Sequence, residues 1–352
     1  MVDPGGGAMK TDQTRRGVAD IAARAGVGTA TVDRVLNERG GVSQKTIEKV
    51  LHAAREIGVR RILPSSHQRI IRIEAILPRP ELPLIARMIN EFRHVLARAQ
   101  NFGRPVIIQR RVLKDEAPLT IAHALRETRC DAVIVYSQEH ELVDDAIHDL
   151  HLKGIPVVTL ISDLSTSQRL AYAGTDHVRA GSTAGYFMSS IVHRPGPLIV
   201  LCNHLGFQSH AKRVEGFREA LKLYAPSLEI TEVVEGHDDR ILSKKKLAAA
   251  FKAHPDTVGV YNVGAANLAV IAAIHQHILH RKPVFIGHEL TENTRLMLKE
   301  GDMAVAIDQN PEQQVQFALS VLMHHFGFEG MAYITLPYVS PVPFTLYGPT
   351  NT

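Results

Sequence analysis

Along the first sixty positions apolar residues recur at helical spacing. Val18, Ile21, Ala22 and Ala25 fall on one face of a helix. Gly26 follows at once and suits the left-handed residue that ends it. A second short helix runs from about residue 29 to 37, with Val32, Val35 and Leu36 facing inward. A third, over 43–57, has Ser43 as N-cap and the stripe Ile47, Val50, Leu51, Ala54 and Ile57, closed by Gly58. Two short helices joined by a glycine turn make a helix-turn-helix pattern. The second helix projects Thr29, Ala30, Asp33 and Arg34. A helix of this width fits the major groove of double-stranded DNA, where an arginine bonds guanine bidentately. Lys45 and Lys49 are placed to reach phosphates, as are the amides at helix N-termini.

From about residue 71 the pattern changes to short, continuously apolar blocks alternating with amphipathic stretches. Blocks 73–77, 105–108, 131–136 and 157–161 read as buried parallel strands, with helices over 83–100, 118–128 and 142–153 between them. The alternation resumes with strand 197–202, helix 213–223, strand 229–233, helix 243–253, strand 258–263, helix 267–277 and strands 283–286 and 303–307. The fold class is therefore α/β, with two doubly wound Rossmann-like subdomains behind a small all-α head. Ligands of such sheets bind beyond the carboxyl ends of the strands, here between the two halves. Ser137, Asp163, Asp176, Arg213, Asn262, Glu289 and Gln309 stand at strand ends facing that cleft. Carboxylates, an arginine and amides can bond the paired hydroxyls of a sugar or polyol.

Composition is ordinary for a globular chain: 352 residues, 45% hydrophobic and 22% charged. The charge distribution says more. Residues 1–72 carry a net charge of +6 and the remainder −2, as expected of a phosphate-backbone binder joined to an unrelated body. No run of 18 apolar residues points to a membrane span, and no apolar leader precedes the first helix. The expected location is the cytoplasm, with Cys130 and Cys202 reading as buried, reduced hydrophobes. Residues 1–16 read as a disordered tail. His237-Asp238-Asp239 and His324-His325 lack partners at metal-ligand spacing and read as solvated loop or helix positions. Neither a P-loop nor a Gly-x-Ser-x-Gly elbow occurs, and Gly26-x-Gly28 does not follow a strand. The expectation is no enzyme, no catalytic residues, no cofactor and no metal.

The string Val18-x-Asp20-Ile21-Ala22-x-x-Ala25-Gly26-Val27-x-x-x-Thr31-Val32-x-Arg34-Val35-Leu36-Asn37, followed by Val42-Ser43-x-x-Thr46 and Ala53-Ala54, resembles the DNA-binding head of LacI/GalR-family regulators. By that similarity Thr29 and Ala30 are the variable base-reading pair, Arg34 is the base-contacting arginine, and Thr31 and Asn37 touch the DNA backbone. Three positions depart from the family. Gly17 and Gly28 replace the usual Ser or Thr N-caps, at about a few tenths of a kcal/mol each. Asp33 replaces a Ser, and its carboxylate repels phosphate unless it accepts from a cytosine amine or pairs with Arg34.

The resemblance extends to the body, which is similar to the type I periplasmic-binding-protein core. Asp176-His177-x-x-Ala180-Gly181 is similar to a crossover segment, and Arg213-x-x-Gly216-Phe217 to an arginine-bearing helix start. Asp308-Gln309-Asn310-Pro311 is similar to a closing crossover. The implied organisation is a tail over 1–16, a helix-turn-helix domain over 17–58, a linker over 59–72 and an effector-binding domain over 73–352. Within the last, the N-subdomain takes about 73–173 and 310–334, and the C-subdomain about 174–309 and 335–352.

Family members carry a hinge helix in the linker. Here the linker is shorter, Pro64 breaks a helix in mid-course, and Leu63 reads either as a wedge in the DNA or as packing on the head. The chain has no Trp, and the loop after the first strand lacks aromatics to stack on a sugar, leaving Tyr172, Phe207 or His177 as substitutes. Arg79 and Arg213 leave room for an acidic or phosphorylated effector.

The resemblance implies a homodimeric regulator, more often a repressor, that binds a pseudo-palindromic operator and is controlled by a small-molecule effector in the cleft. The alternative is a solute-binding protein whose head does not bind DNA.

Overall fold

The computed structural model describes residues 10–37, 39, 41–57, 70–100, 106–113, 115–166, 168–277, 281–326 and 341–352. The chain divides into two compact units between Ile70 and Ile71.

The first unit contains α1 (Lys10–Ala25), α2 (Thr29–Leu36) and α3 (Gln44–Glu56). Ile21, Ala22, Val32, Val35, Leu36, Val50, Leu51, Ala53 and Ala54 make its buried core. Gly26 adopts φ +66°, and the Val27 amide donates to the Ala22 carbonyl at 3.0 Å, the closure of a Schellman turn. The start of α1 corrects the expected tail. The helix begins at Lys10, seven residues before Gly17, which lies inside it and caps nothing. The extension Lys10–Arg16 carries no apolar residue by whose spacing the sequence would have shown it. Gly28 is the N-cap of α2 and supplies no side-chain bond. Ser43 opens α3, its Oγ accepting from the Thr46 amide at 3.3 Å. The linker expectations for Leu63 and Pro64 fall outside the described residues.

The second unit has two α/β lobes. The first contains β1 (Ile71–Ile76), α4 (Pro83–Gln100), β2 (Val106–Arg111), α5 (Pro118–Glu127), β3 (Ala132–Val135), α6 (Glu141–Leu152), β4 (Val157–Leu160) and β5 (Ala171–Ala173). Its strands form a parallel sheet in the order β2-β1-β3-β4-β5. The second contains α7 (His177–Ile191), β6 (Gly196–Cys202), α8 (Gln208–Tyr224), β7 (Leu228–Glu235), α9 (Arg240–Ala253), β8 (Gly259–Asn262), α10 (Asn267–Gln276), β9 (Val284–His288), α11 (Glu292–Lys299) and β10 (Val305–Asp308). The chain then returns through α12 (Pro311–His325), which packs on α4, and ends near β11 (Thr345–Tyr347), antiparallel to β10. The second sheet runs β11-β10-β9-β8-β6-β7. Each sheet carries an apolar core on both faces, which is why its strands read as unbroken apolar blocks.

The chain passes between lobes at 174–176, at 309–310 and again before β11. These crossings are tied together: the Val342 amide donates to the Gly174 carbonyl at 2.8 Å, and Asn310 Nδ2 to the Pro343 carbonyl at 2.6 Å.

Several elements have no counterpart in the sequence pattern: β5, α7, α11, α12 and β11. Helix α7 is the instructive case. Its inner face is Ala180, Gly181, Ala184 and Gly185, too small to stand out as an apolar stripe. Those residues let it approach the backbone of α8. A Cβ on Gly181 would lie 2.0 Å from the Arg213 carbonyl oxygen, and one on Gly216 would lie 2.1 Å from that of Val178. Helix α8 also starts at Gln208, which puts Arg213 in its second turn rather than at its start.

Candidate functional site

In the head, α2 turns Val32, Val35 and Leu36 into the core and leaves Thr29, Ala30 and Arg34 exposed, with Thr31 half-buried. Asn37 and Lys45 are also exposed. Asp33 differs from expectation: its partner is Arg39, not Arg34. Arg39 Nη1 donates to Asp33 Oδ2 at 2.9 Å, and Asn37 Nδ2 donates to Oδ1 at 2.7 Å. The pairing at i+6 becomes possible because the chain leaves the helix at Asn37 and bends back over its last turn. Arg34 is thereby left without that carboxylate beside it.

In the body the cleft between lobes is closed. The Glu139 amide donates to the Gly206 carbonyl at 2.9 Å, the Ser209 amide to Ser162 Oγ at 3.1 Å, and Gln208 Nε2 to Glu139. Tyr136 from the first lobe stacks on Phe207 from the second, with ring centroids 5.1 Å apart. Arg79, in the loop after β1, reaches across to the carbonyls of His237 at 3.2 Å and Asp238 at 3.5 Å. Arg87 of α4 forms a two-bond fork with Asp308 at 2.7 and 3.0 Å and also bonds Glu312.

Backbone strain marks the same place. The non-glycine residues with positive φ among those described are Arg79, Ile161, His237, Asp238, Glu289 and Asn310. Each follows the carboxyl end of a strand, within three residues of it. Left-handed backbone costs on the order of 1–3 kcal/mol per residue and persists where surrounding structure enforces it, commonly at binding sites.

The seven expected cleft residues divide. Arg213 is 2% exposed. Its Nε donates to His177 Nδ1 at 3.1 Å and its Nη1 to the Val263 carbonyl at 2.7 Å. Glu289, also buried, accepts from Gln309 Nε2 at 2.5 Å. Gln309 is held in turn by Gln314, whose Nε2 donates to the Gln309 carbonyl at 2.9 Å. Ser137 is buried and donates to the Gln138 carbonyl at 3.0 Å.

The other three are engaged by local partners. Asp163 takes a two-bond fork from Arg169 at 2.6 and 2.7 Å. Asp176 caps α7 by accepting from the Arg179 amide at 2.9 Å. Asn262 closes the turn at Gly264 and donates to Asn267 Oδ1 at 2.7 Å. A polar residue at a strand end serves the turn there as readily as a ligand, and sequence position does not separate the two.

The structure adds Glu116, Tyr136, Asn203, Ser209 and Asp238 to the cleft. Asp238 is not a solvated loop residue: its Oδ1 accepts from the Ala265 amide at 2.8 Å. The Asn203 amide lies beside Glu116 and Asp238. The strand-end rule alone would have flagged Asn203, which directly follows β6. Among the described residues, Arg213 Nη2, Glu289 Oε2, Glu116 Oε2 and Ser209 Oγ are buried without a hydrogen-bond partner. Buried polar groups ordinarily find partners; four without one stand together at this cleft.

Electrostatics agree with the geometry. Burial raises the carboxyls of Glu116 and Asp238 above their usual range, against the pull of Arg79. Burial, then Asp308, raises Glu289. Burial and then Arg213 hold His177 and His288 well below the usual imidazole range, and His210 is lowered to about 3 by the same causes. The cleft thus holds neutral imidazoles and one guanidinium nitrogen without a partner. Arg79 is already engaged by Glu81, Glu116 and two carbonyls. Of the aromatics expected to stand in for a sugar-stacking ring, Phe207 is covered by Tyr136, while Tyr172 and His177 bond each other at 2.9 Å.

Comparison with known proteins gives the following. A model of the periplasmic binding protein domain matches residues 114–329, and a model of bacterial regulatory proteins of the lacI family matches residues 18–60. The ribose operon repressor of Halalkalibacterium halodurans is 27% identical over 274 residues, 73% of this chain and 72% of that protein. The HTH-type transcriptional regulator AscG of Escherichia coli is 24% identical over 221 residues, 62% of this chain and 64% of its own length. The solved structure of an ABC-transporter solute-binding protein from Burkholderia graminis, in complex with D-arabinose, has a TM-score of 0.70 at 21% identity. It spans 80% of this chain and 96% of that one. That likeness is one of fold.

Proposed function

The chain belongs to the periplasmic-binding-protein domain family and carries a lacI-family regulatory head, and from that premise we propose that it is a sequence-specific DNA-binding transcription repressor whose operator affinity is set by a sugar or polyol held between its lobes. One observation carries the reading: α2 buries its valine and leucine face and presents Thr29, Ala30 and Arg34 outward, the arrangement that major-groove recognition requires. Thr31, Asn37 and Lys45 are the backbone-contacting groups, and Asp33 is screened by Arg39. Two such heads in a homodimer read two half-sites of a pseudo-palindrome, about one helical turn apart. The place of action is the cytoplasm, where DNA is. The relatives named above are regulators and a binding protein, and the chain acts by binding rather than by catalysis.

The effector contacts are Arg213 Nη2, Glu289, Glu116, Asn203, Ser209 and Ser137, with Gln309 orienting Glu289. A sugar hydroxyl both donates and accepts, so adjacent hydroxyls satisfy a carboxylate and a guanidinium side by side. A phosphorylated effector fits poorly. Among the described cleft residues one buried guanidinium nitrogen, Arg213 Nη2, lacks a hydrogen-bond partner, and the carboxylates repel a second anion. The likeness to a ribose operon repressor and to a D-arabinose-bound protein supports a monosaccharide.

Two experiments test the reading. A gel-shift series over salt should show affinity falling steeply as ionic strength rises; a protein that ignores duplex DNA at low salt ends the regulator reading. A thermal-shift panel should compare pentoses, hexoses, polyols and their phosphates. A neutral sugar at a hundred times its Kd stabilises by about 2.7 kcal/mol, and a response confined to phosphates refutes the effector assignment.

A further inference from the structure

The hydrogen bonds around Arg213 fix more than its position. A guanidinium Nε–H always donates, so His177 Nδ1, at 3.1 Å, must be a bare acceptor. The imidazole proton then lies on Nε2, which donates to the Ile161 carbonyl at 2.7 Å. The Tyr172 hydroxyl stands 2.9 Å from the same nitrogen and has the carbonyls of Ile161 at 2.9 Å and Thr175 at 3.0 Å as alternative acceptors for its single proton. The Ile161 oxygen is thus the acceptor for Nε2–H, with the Tyr172 hydroxyl beside it.

Ile161 itself has φ +65°, a conformation that β-branched residues almost never adopt. The strain turns its carbonyl toward His177. Ile161 directly follows strand β4 of the first lobe, His177 opens the first helix beyond the crossing at 174–176, and Arg213 stands on the neighbouring helix, where Gly181 and Gly216 bring α7 and α8 together. The chain of contacts runs from one lobe, through the crossing, to Arg213, whose Nη2 is buried without a hydrogen-bond partner. The other titratable groups acting on His177 are Lys212 and His210, and a charge on either, like that on Arg213, disfavours a second proton on the ring.

We infer that His177 is the positioning residue of the effector site: locked as the neutral Nε2–H tautomer by the strained Ile161 carbonyl, it holds Arg213 by its Nε edge so that Nη2 points into the cleft. This rests on the reading that Arg213 meets the effector. It does not require the effector's identity. A protonated His177 would set a donor against the Arg213 donor and release the guanidinium.

The test uses the full chain without ligand, so its failure is distinct from failure of the sugar reading. Two-bond nitrogen–proton spectra of the 15N-labelled protein report the His177 tautomer, assigned through its own side-chain carbons. The expected result is a bare Nδ1 and a protonated Nε2 from pH 8 down to pH 5, with Arg213 Nε–H exchanging at least about tenfold more slowly than exposed arginines. Two variants separate positioning from packing. His177→Asn places an acceptor where Nδ1 was and should keep the slow exchange of Arg213. His177→Gln places its amide where Nε2 was; it should keep the Ile161 bond and lose the slow exchange. Unfolding midpoints of both variants are read alongside. A protonated Nδ1 in the folded protein at pH 7 overturns the inference. So does equal loss of Arg213 protection in the Asn and Gln variants.

Discussion

Replacing Gly181 by alanine puts a methyl carbon 2.0 Å from the Arg213 carbonyl oxygen, 2.7 Å from its carbon and 2.9 Å from its Cα. A carbon and a carbonyl oxygen in contact sit roughly 3.3 Å apart, so α7 and α8 must part by more than an ångström. No side chain can rotate away, because the obstacle is backbone. The matching approach of Gly216 to the Val178 carbonyl, 2.1 Å for a Cβ there, is opened by the same movement. Overpacking a tight interior costs about 1–3 kcal/mol, and a backbone obstacle belongs at the upper end. For a unit of this size that corresponds to a fall in melting temperature of roughly 5–10 °C. The displacement also carries Arg213 away from His177 and Val263, so sugar-induced stabilisation should shrink with it. Thermal unfolding followed by circular dichroism measures the first effect. Gly348→Ala, where a Cβ meets nothing within 4 Å, is the control. If Gly181→Ala melts within about 2 °C of that control, the account of how α7 and α8 place the arginine is wrong.

Other consequences follow from the charges. His177, His210 and His288 are held neutral in the folded protein, below their usual 6.5. The unfolded chain therefore binds more protons below that pH, and the urea midpoint should fall as pH drops from 6.5 to 5. Glu289 is raised above its usual 4.5, so the folded state binds the extra proton and stability falls as pH rises from 4.5; Glu289→Gln should gain on the wild type more at pH 8.5 than at pH 5, and parallel curves would refute this. Arg34→Ala should lose about 1–3 kcal/mol of preference for its operator over scrambled DNA, measured by competition gel shift, while non-specific binding persists. Asp33→Asn frees Arg39 for phosphate and should steepen the salt dependence by about one unit per head. Arg79→Ala removes the bonds to the His237 and Asp238 carbonyls; small-angle scattering should then show a larger radius of gyration without sugar, and an unchanged radius would mean that Arg79 does not hold the lobes together.

The contrast between the two sites explains what could be read from the chain. In the head, local sequence and function coincide. Val32, Val35 and Leu36 define the buried face of an eight-residue helix, so the outward residues follow by subtraction. In the cleft they do not coincide. Asp163 and Asp176 stand at strand ends as prominently as Glu289, yet one is neutralised by Arg169 and the other caps a helix. Glu116 gave no local signal, and Asp238 stood out only in a His-Asp-Asp run that read as a solvated loop, because the groups that act on both, Arg79 and Asn203, lie on opposite lobes. The missed helix α7 belongs to the same class: small residues carry no amphipathic stripe, and their purpose appears only when α8 lies against them.

The sequence by itself determined the three-helix head, the alternation of buried strands with helices, and the basic front on an acidic body. Period and charge are properties of neighbours in the chain. Tertiary structure alone decided which polar residues lack partners, which carboxylates are pushed toward neutrality, and that Ile161 is strained to hold His177. Burial and hydrogen-bond satisfaction depend on what two distant lobes bring together, and no window of sequence contains both sides of that contact.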